Sequence, residues 1–255
     1  MQLRAQAQYK LSLTIDIGTN LLVTSMEFAT VVIVFGPFPT LLGWRVGEVV
    51  LLYGMSSVSF GLAELIGAGI DAFPEMIRRG DFDRVLLRPV SVLLQVVGSD
   101  FRLRRLGRIS QGFFALWLAL HLLPAFHWTP AKLVLLPLGV VSGAAIFVAV
   151  LILGATLCFW TIETTELVNI VTYGGREMLS WPMNIYNQAM QRFFLFVIPL
   201  AFGSYVPTCY LLDRPLPFGL PGAVAFAAPL IALVFALVAW GIWTVGVRHY
   251  QSTGS

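Results

Sequence analysis

Asp81, Asp83, Arg84 and Arg88 stand close together around Phe82, Leu86 and Leu87. Charges on one short element can orient it, and apolar side chains beside them can dock into a groove, the usual chemistry of a helix that grips a partner. A second set is the carboxylates stranded among apolar residues. Glu27 and Glu64 lie deepest in the first two apolar runs, with Asp16, Glu48 and Asp71 in or at the ends of those runs. A carboxylate at the centre of a bilayer costs at least about 2.5 kcal/mol, so it faces protein or water. Glu27 and Glu64 therefore either line a pathway favouring cationic or amphipathic cargo, or bond a polar group of an adjacent helix and fix a bundle. Glu163 and Glu166, three apart, share a helix face. They read as an acidic patch at an interface or toward a partner, with Arg176 and Arg192 or a basic groove on that partner as the complement.

The remaining candidates for chemistry are sparse. His121, His127 and His249 are isolated, and no serine or cysteine is set with a base and an orienting group. Neither GxSxG nor HExxH occurs, so no catalytic residues and no metal ligands are expected. The only lysines follow Tyr9 and Ala131, which excludes a phosphate-cradling GxxxxGK[ST] loop. Cys158 and Cys209 lie within or beside apolar runs and read as small hydrophobes.

These side chains must be positioned by a bilayer protein. The 255 residues are 58% hydrophobic and only 11% charged, with a mean hydropathy of +0.83, whereas soluble domains carry about a quarter charged residues. Long apolar runs select helices over a barrel. The fold class is an all-α polytopic membrane bundle, read as one domain over residues 1–255. Six transmembrane helices are expected at about 12–35, 46–70, 109–123, 133–160, 193–211 and 218–247, with a cytoplasmic loop at about 73–108. No cleaved signal peptide is expected.

Lys and Arg mark the cytoplasmic side. With the N-terminus inside, the inner segments hold Arg4, Lys10, the eight arginines from Arg78 to Arg108, Arg176, Arg192 and Arg248, against Arg45, Lys132 and Arg214 outside. Both termini are placed in the cytoplasm. Trp44 and Trp128 are expected at the outer headgroup level and Trp181 near the inner one. Small residues at Gly54, Ser57, Gly61, Gly67 and Gly69 suit close helix approach, either within the chain or across a dimer seam. Pro199 and Pro229 are expected to kink spans five and six.

The largest inner segment runs from Ile77 to Arg108. Gly80 and Asp81 suit a helix start with Asp81 as the cap, Pro89 interrupts the chain, and a short helix from Phe82 to Leu87 precedes a longer amphipathic one. Its arginines also suit topology and anionic headgroups. The stretch GDFDRVLLRPVSVLLQ resembles the loop of type 2 ABC exporter permeases, and FWTIETTELVNIVTYGG, WPMNIYNQAMQRFFLFVIPLAFGSYVP and VRHYQSTGS agree with that family over nearly the whole chain. Trp181 replaces the family's usual tyrosine before proline.

The resemblance implies a six-helix permease subunit that pairs with a second permease, a related chain or a copy, across a central path. It implies a coupling element from Gly80 to Pro89 pressed into a separate nucleotide-binding ATPase, and a second cytoplasmic or interfacial element from Glu163 to Trp181. This chain would carry no cofactor; ATP and Mg would sit on the partner ATPase. Membrane lipids are expected partners and nucleic acid is not, in a bacterial-type inner membrane. The competing reading is a membrane scaffold or assembly protein that anchors a soluble partner through the same loop.

Overall fold

The computed structural model describes residues 10–38, 40–101, 105–123, 126–161 and 165–250. Among them the structure is helical, with one isolated bridge between Leu41 and Trp44. The main helices are α1 (Lys10–Phe35), α2 (Val46–Ile66), α7 (Leu106–Leu122), α8 (Pro130–Leu157), α9 (Thr165–Leu179) and α12 (Ala228–His249). Between α2 and α7 come the short helices α3 (Ala68–Asp71), α4 (Phe73–Arg78), α5 (Phe82–Leu86) and α6 (Val92–Val97); between α9 and α12 come α10 (Gln188–Arg192) and α11 (Tyr205–Leu211). Three helical stretches among the described residues are long and apolar enough to cross a membrane: Val46–Ile66, Pro130–Leu157 and Gly222–His249, with mean hydropathies of 1.7, 2.6 and 2.5.

α2 is the central post. Leu42 and Gly43 turn the chain with positive φ, and the Arg45 backbone N–H donates to Glu48 Oε2 at 2.7 Å, which caps the helix that follows. The small residues of α2 then meet α7 directly. A Cβ on Gly54 would lie 2.8 Å from Leu116, one on Gly61 2.8 Å from Ile109, and one on Gly112 of α7 2.6 Å from Val58. This settles the packing choice for Gly54 and Gly61 in favour of the same chain. Gly67 and Gly69 likewise face Leu151 and the α6 backbone.

The four short helices gather at one end of the bundle, the loop end. The other end carries the turns at Leu42, Lys132 and Asp213, where Lys132 Nζ donates to Asp213 Oδ2 at 2.6 Å. Trp44 lies there too, but buried at 3% exposure, with the Arg214 guanidinium 4.4 Å from its ring centroid rather than at a headgroup surface.

The chain after α8 departs most from the sequence-based expectation. α9 runs beside α2 rather than lying across the loop end. Tyr173 Oη donates to Glu64 Oε1 at 3.1 Å, Ser56 Oγ donates to the Arg176 carbonyl at 3.2 Å, and Asn184 Nδ2 donates to the Leu42 carbonyl at 3.3 Å. Those three contacts climb α2 from its loop end to the opposite turn.

The segment expected as span five then enters the bundle and returns to the same end. Phe193–Val197 form a π-turn, Leu200–Gly203 a 3₁₀ turn, and Ser204 is non-helical with φ −140° and ψ −60°. At the deepest point Gly203 meets Gly143 so closely that a Cβ on Gly203 would lie 2.3 Å from the Gly143 Cα. On the way back Thr208 Oγ1 donates to Met55 Sδ at 3.2 Å, and Arg214 Nη2 reaches Glu48 Oε2 at 2.7 Å. The break has a cause: Pro199 has no N–H to continue the ladder, and irregular backbone at depth is tolerated only where protein covers it. Leu200, Ala201, Phe202 and Ser204 are all buried. Pro229, by contrast, sits in the first turn of α12 and starts that helix rather than kinking it.

Candidate functional site

The loop end is organised by aromatic rings. Gly80 takes φ +72°, a left-handed turn that glycine adopts without strain, and it releases α4 into α5. Phe82 follows and is fully buried, 5.2 Å from Phe73, 5.6 Å from Phe159 and 4.8 Å from Tyr250 between ring centroids, with Trp243 tilted against Phe73 at 5.1 Å. Edge-to-face contacts of this kind add to the burial of each ring. Burial, and then the neighbouring Asp83 carboxylate, push the Tyr250 hydroxyl above the ordinary tyrosine value.

Phe82 therefore does not join Leu86 and Leu87 on a docking surface. It pins α5 to the ends of α8 and α12, while Leu87 is 85% exposed, Leu86 is exposed and Arg84, Arg88 and Pro89 face outward. Gln95 Nε2 donates to the Val85 and Val90 carbonyls at 3.1 and 2.9 Å, closing the two legs of the loop. Asp81 makes no side-chain cap; its carboxylate lies 3.7 Å from Arg84, a surface pair that stabilises by about 0–1 kcal/mol. The helix expected after Pro89 is short, Val92–Val97, because Gly98 ends it.

Under this loop lies a buried charge network. Glu64 accepts from Arg108 Nη1 at 2.6 Å on one oxygen and from Tyr173 on the other, while Arg105 donates to the Glu64 carbonyl and to Asp71 Oδ2, the latter at 2.5 Å. Glu64 and Arg105 are each 8% exposed, and the Arg108 guanidinium stacks 5.2 Å from the Phe60 ring centroid. Ion pairs with so little water stabilise only when hydrogen bonds compensate the lost solvation; here both carboxylate oxygens of Glu64 are bonded, while Arg108 Nε is buried without a partner among the described residues. Both Glu64 oxygens are thus occupied within the chain. Arg105 and Arg108, read from sequence as part of a topology-setting run, are the buried counter-charges. Their spacing of three at the start of an apolar helix is the signal that marks one shared face.

A third arrangement lies on α9. Arg176 is 2% exposed, lies 5.7 Å from the Tyr53 ring centroid and pairs with its neighbour Glu177, whose side chain is 54% exposed. Arg192 lies with Phe218, 5.5 Å from that ring centroid, at the end opposite the loop. Neither arginine belongs to the loop end where the sequence reading counted it.

Of the other expected residues, Glu163 and the side chains of Glu27 and Glu166 lie outside the described residues. Among the described residues no group of three or more His, Cys, Asp or Glu is gathered for a metal. His127 joins Arg45, Glu48, Lys132 and Asp213 around a cavity of about 200 Å³ at the end opposite the loop.

Residues 21–254 match the model of a family described as ABC-2 family transporter protein. No curated protein and no solved structure matches the chain.

Proposed function

This chain belongs to the ABC-2 transporter family, and from that premise we propose that it is the permease subunit of an ATP-driven exporter, coupled through α5 to an ATPase on a separate polypeptide. The observation that carries the reading is the division within α5: Phe82 is locked into the aromatic cluster while Leu86, Leu87, Arg84 and Arg88 are turned outward. An element held from behind and presenting two leucines among charges suits a groove on a soluble partner. Force applied there passes through Phe82 to the ends of α8 and α12.

In this reading α1, α2, α7, α8, α9 and α12 are the six crossings, and both termini share the cytoplasmic face with the loop end. The arginine asymmetry supports that orientation after Arg176 and Arg192 are moved: eleven Lys and Arg remain with the inner segments and four with the outer ones. A second permease, a copy or a related chain, would complete the path. ATP and Mg would bind the partner ATPase, and the membrane would be a bacterial-type inner membrane.

The test is to purify the chain with its co-expressed neighbours and measure vanadate-sensitive ATPase activity with and without Asp81→Lys and Asp83→Lys. Copurification of an ATPase that the reversal uncouples or releases is expected. If no ATPase associates, the exporter reading falls and a scaffold that holds another soluble partner replaces it.

A further inference from the structure

Ser56, whose hydroxyl meets the Arg176 carbonyl, is the midpoint of the 21-residue α2. At 1.5 Å per residue α2 is about 30 Å long, the thickness of a hydrocarbon core. Arg176 and Glu177 therefore sit near the bilayer midplane. Arg176 points inward over Tyr53, and Glu177 points out of the bundle with its side chain 54% exposed.

Glu177 has company on that face. Asn169, Tyr173 and Glu177 follow at intervals of four, the spacing of one helical stripe, and none of the three is buried. Gly174 beside them is exposed, with nothing within 4 Å of an added Cβ. Behind the stripe, Thr172, Gly175, Met178 and Leu179 are buried against the bundle. α12, by contrast, exposes Leu230, Leu233, Val234, Leu237 and Val238, the surface expected against acyl chains. A half-exposed midplane carboxylate facing lipid would cost at least about 2.5 kcal/mol; facing water it avoids that penalty.

We propose that this stripe of α9 is a wall of the water-filled translocation path, and that Glu177, one turn from the Tyr173 ring, selects organic cations as cargo. This rests on the permease reading and adds its substrate class. Arg176 does not cancel the selection, because the ion pair is oriented with its negative end toward the path and its positive end behind it. A cation beside Glu177 meets the carboxylate first and can lie over the Tyr173 ring. The partial neutralisation keeps the site weak enough to release what it binds, as conduction requires.

The test uses the full complex in inside-out vesicles. Gly174→Cys and Glu177→Cys are exposed to a water-soluble methanethiosulfonate, with Leu237→Cys on α12 as the lipid-facing comparison. Reaction at 174 and 177 faster than at 237 by about tenfold or more is expected, since only hydrated thiols ionise and attack; equally slow reaction at all three overturns the aqueous wall. ATP-driven uptake of tetraphenylphosphonium is then compared with that of tetraphenylborate, the same shape with opposite charge. The expected result is uptake of the cation only, reduced about tenfold in Glu177→Gln and restored in Glu177→Asp, with vanadate-sensitive ATPase activity retained. With that activity present, failure of wild-type protein to move the cation, or equal uptake by Glu177→Gln, overturns the cation assignment. Loss of all nucleotide-dependent activity in wild-type complex instead overturns the permease reading, and the thiol rates still decide whether the face is wet.

Discussion

The Tyr173 hydroxyl donates to Glu64 Oε1 across 3.1 Å, joining α9 to α2 just where Arg108 of α7 grips the other Glu64 oxygen at 2.6 Å. Three helices thus meet on one carboxylate. A movement of the loop that shifts Arg105 and Arg108 can reach α9, and with it the Glu177 stripe, through this junction.

The junction predicts a graded response to substitution. Tyr173→Phe removes one hydrogen bond to a charged acceptor and should lower stability by about 1.5–3 kcal/mol. Glu64→Leu strips the buried Arg108 of its counter-charge and should lower it by about 3–5 kcal/mol. Glu64→Leu combined with Arg108→Met should recover much of that loss, because no buried charge is then left alone. Thermal unfolding in detergent for these variants and for Arg108→Met alone checks the order; a double variant that loses the sum of the two single losses would show that Glu64 and Arg108 are not coupled.

Phe82 and Leu87 stand five residues apart on the same loop and should fail in different ways. Phe82→Ala empties a site filled by three aromatic neighbours and should destabilise the protein by about 3–5 kcal/mol. Leu87→Ala touches a side chain that is 85% exposed and should shift stability by less than about 0.5 kcal/mol. Its effect should appear instead in retention of the ATPase on an affinity column. A Leu87→Ala complex that keeps both its partner and its coupled ATPase rate would remove Leu87 from the docking surface.

Glycines give a further contrast. A Cβ on Gly203 would lie 2.3 Å from the Gly143 Cα, backbone against backbone, with no flexible side chain to yield. Gly203→Ala should therefore destabilise by about 1–3 kcal/mol or more. Gly174→Ala, in helix and in open space, should stabilise by about 0.5–1 kcal/mol through helix propensity. The sign difference between the two, read by unfolding temperature, is the check.

The α2, α8 and α12 segments were legible because a predominantly apolar stretch of more than 20 residues has few readings other than a crossing. The course of α9 along α2 was not, because α9 carries Arg176 and Glu177, and hydropathy cannot register that one charge is hidden over Tyr53 and paired with the next residue. The same blindness made Phe193–Leu211 look like a span. Its apolar residues are buried, but Pro199 and Ser204 break the helix, and a run of apolar side chains says nothing of whether the chain turns back. At the loop, the charge pattern marked the element from Gly80 to Pro89, yet not the split between Phe82 and Leu87. That split depends on Phe159, Trp243 and Tyr250 arriving from distant parts of the chain.

The returning segment yields the sharpest topological prediction. If Phe193–Leu211 crossed the membrane, Asn184 and Pro215 would face opposite sides. In the structure Asn184 bonds Leu42, and Arg214, next to Pro215, bonds Glu48, so both positions flank the same turn. Single cysteines at 184 and 215 should both be labelled by an impermeant maleimide applied outside intact cells, while one at Leu87 should label only after permeabilisation. Cys158 and Cys209 are buried and should contribute little background. Labelling of 184 and 215 from opposite sides would overturn the turn-back and restore a crossing there. The proposals that α9 is the fifth crossing and that Glu177 lies at the midplane would then fall.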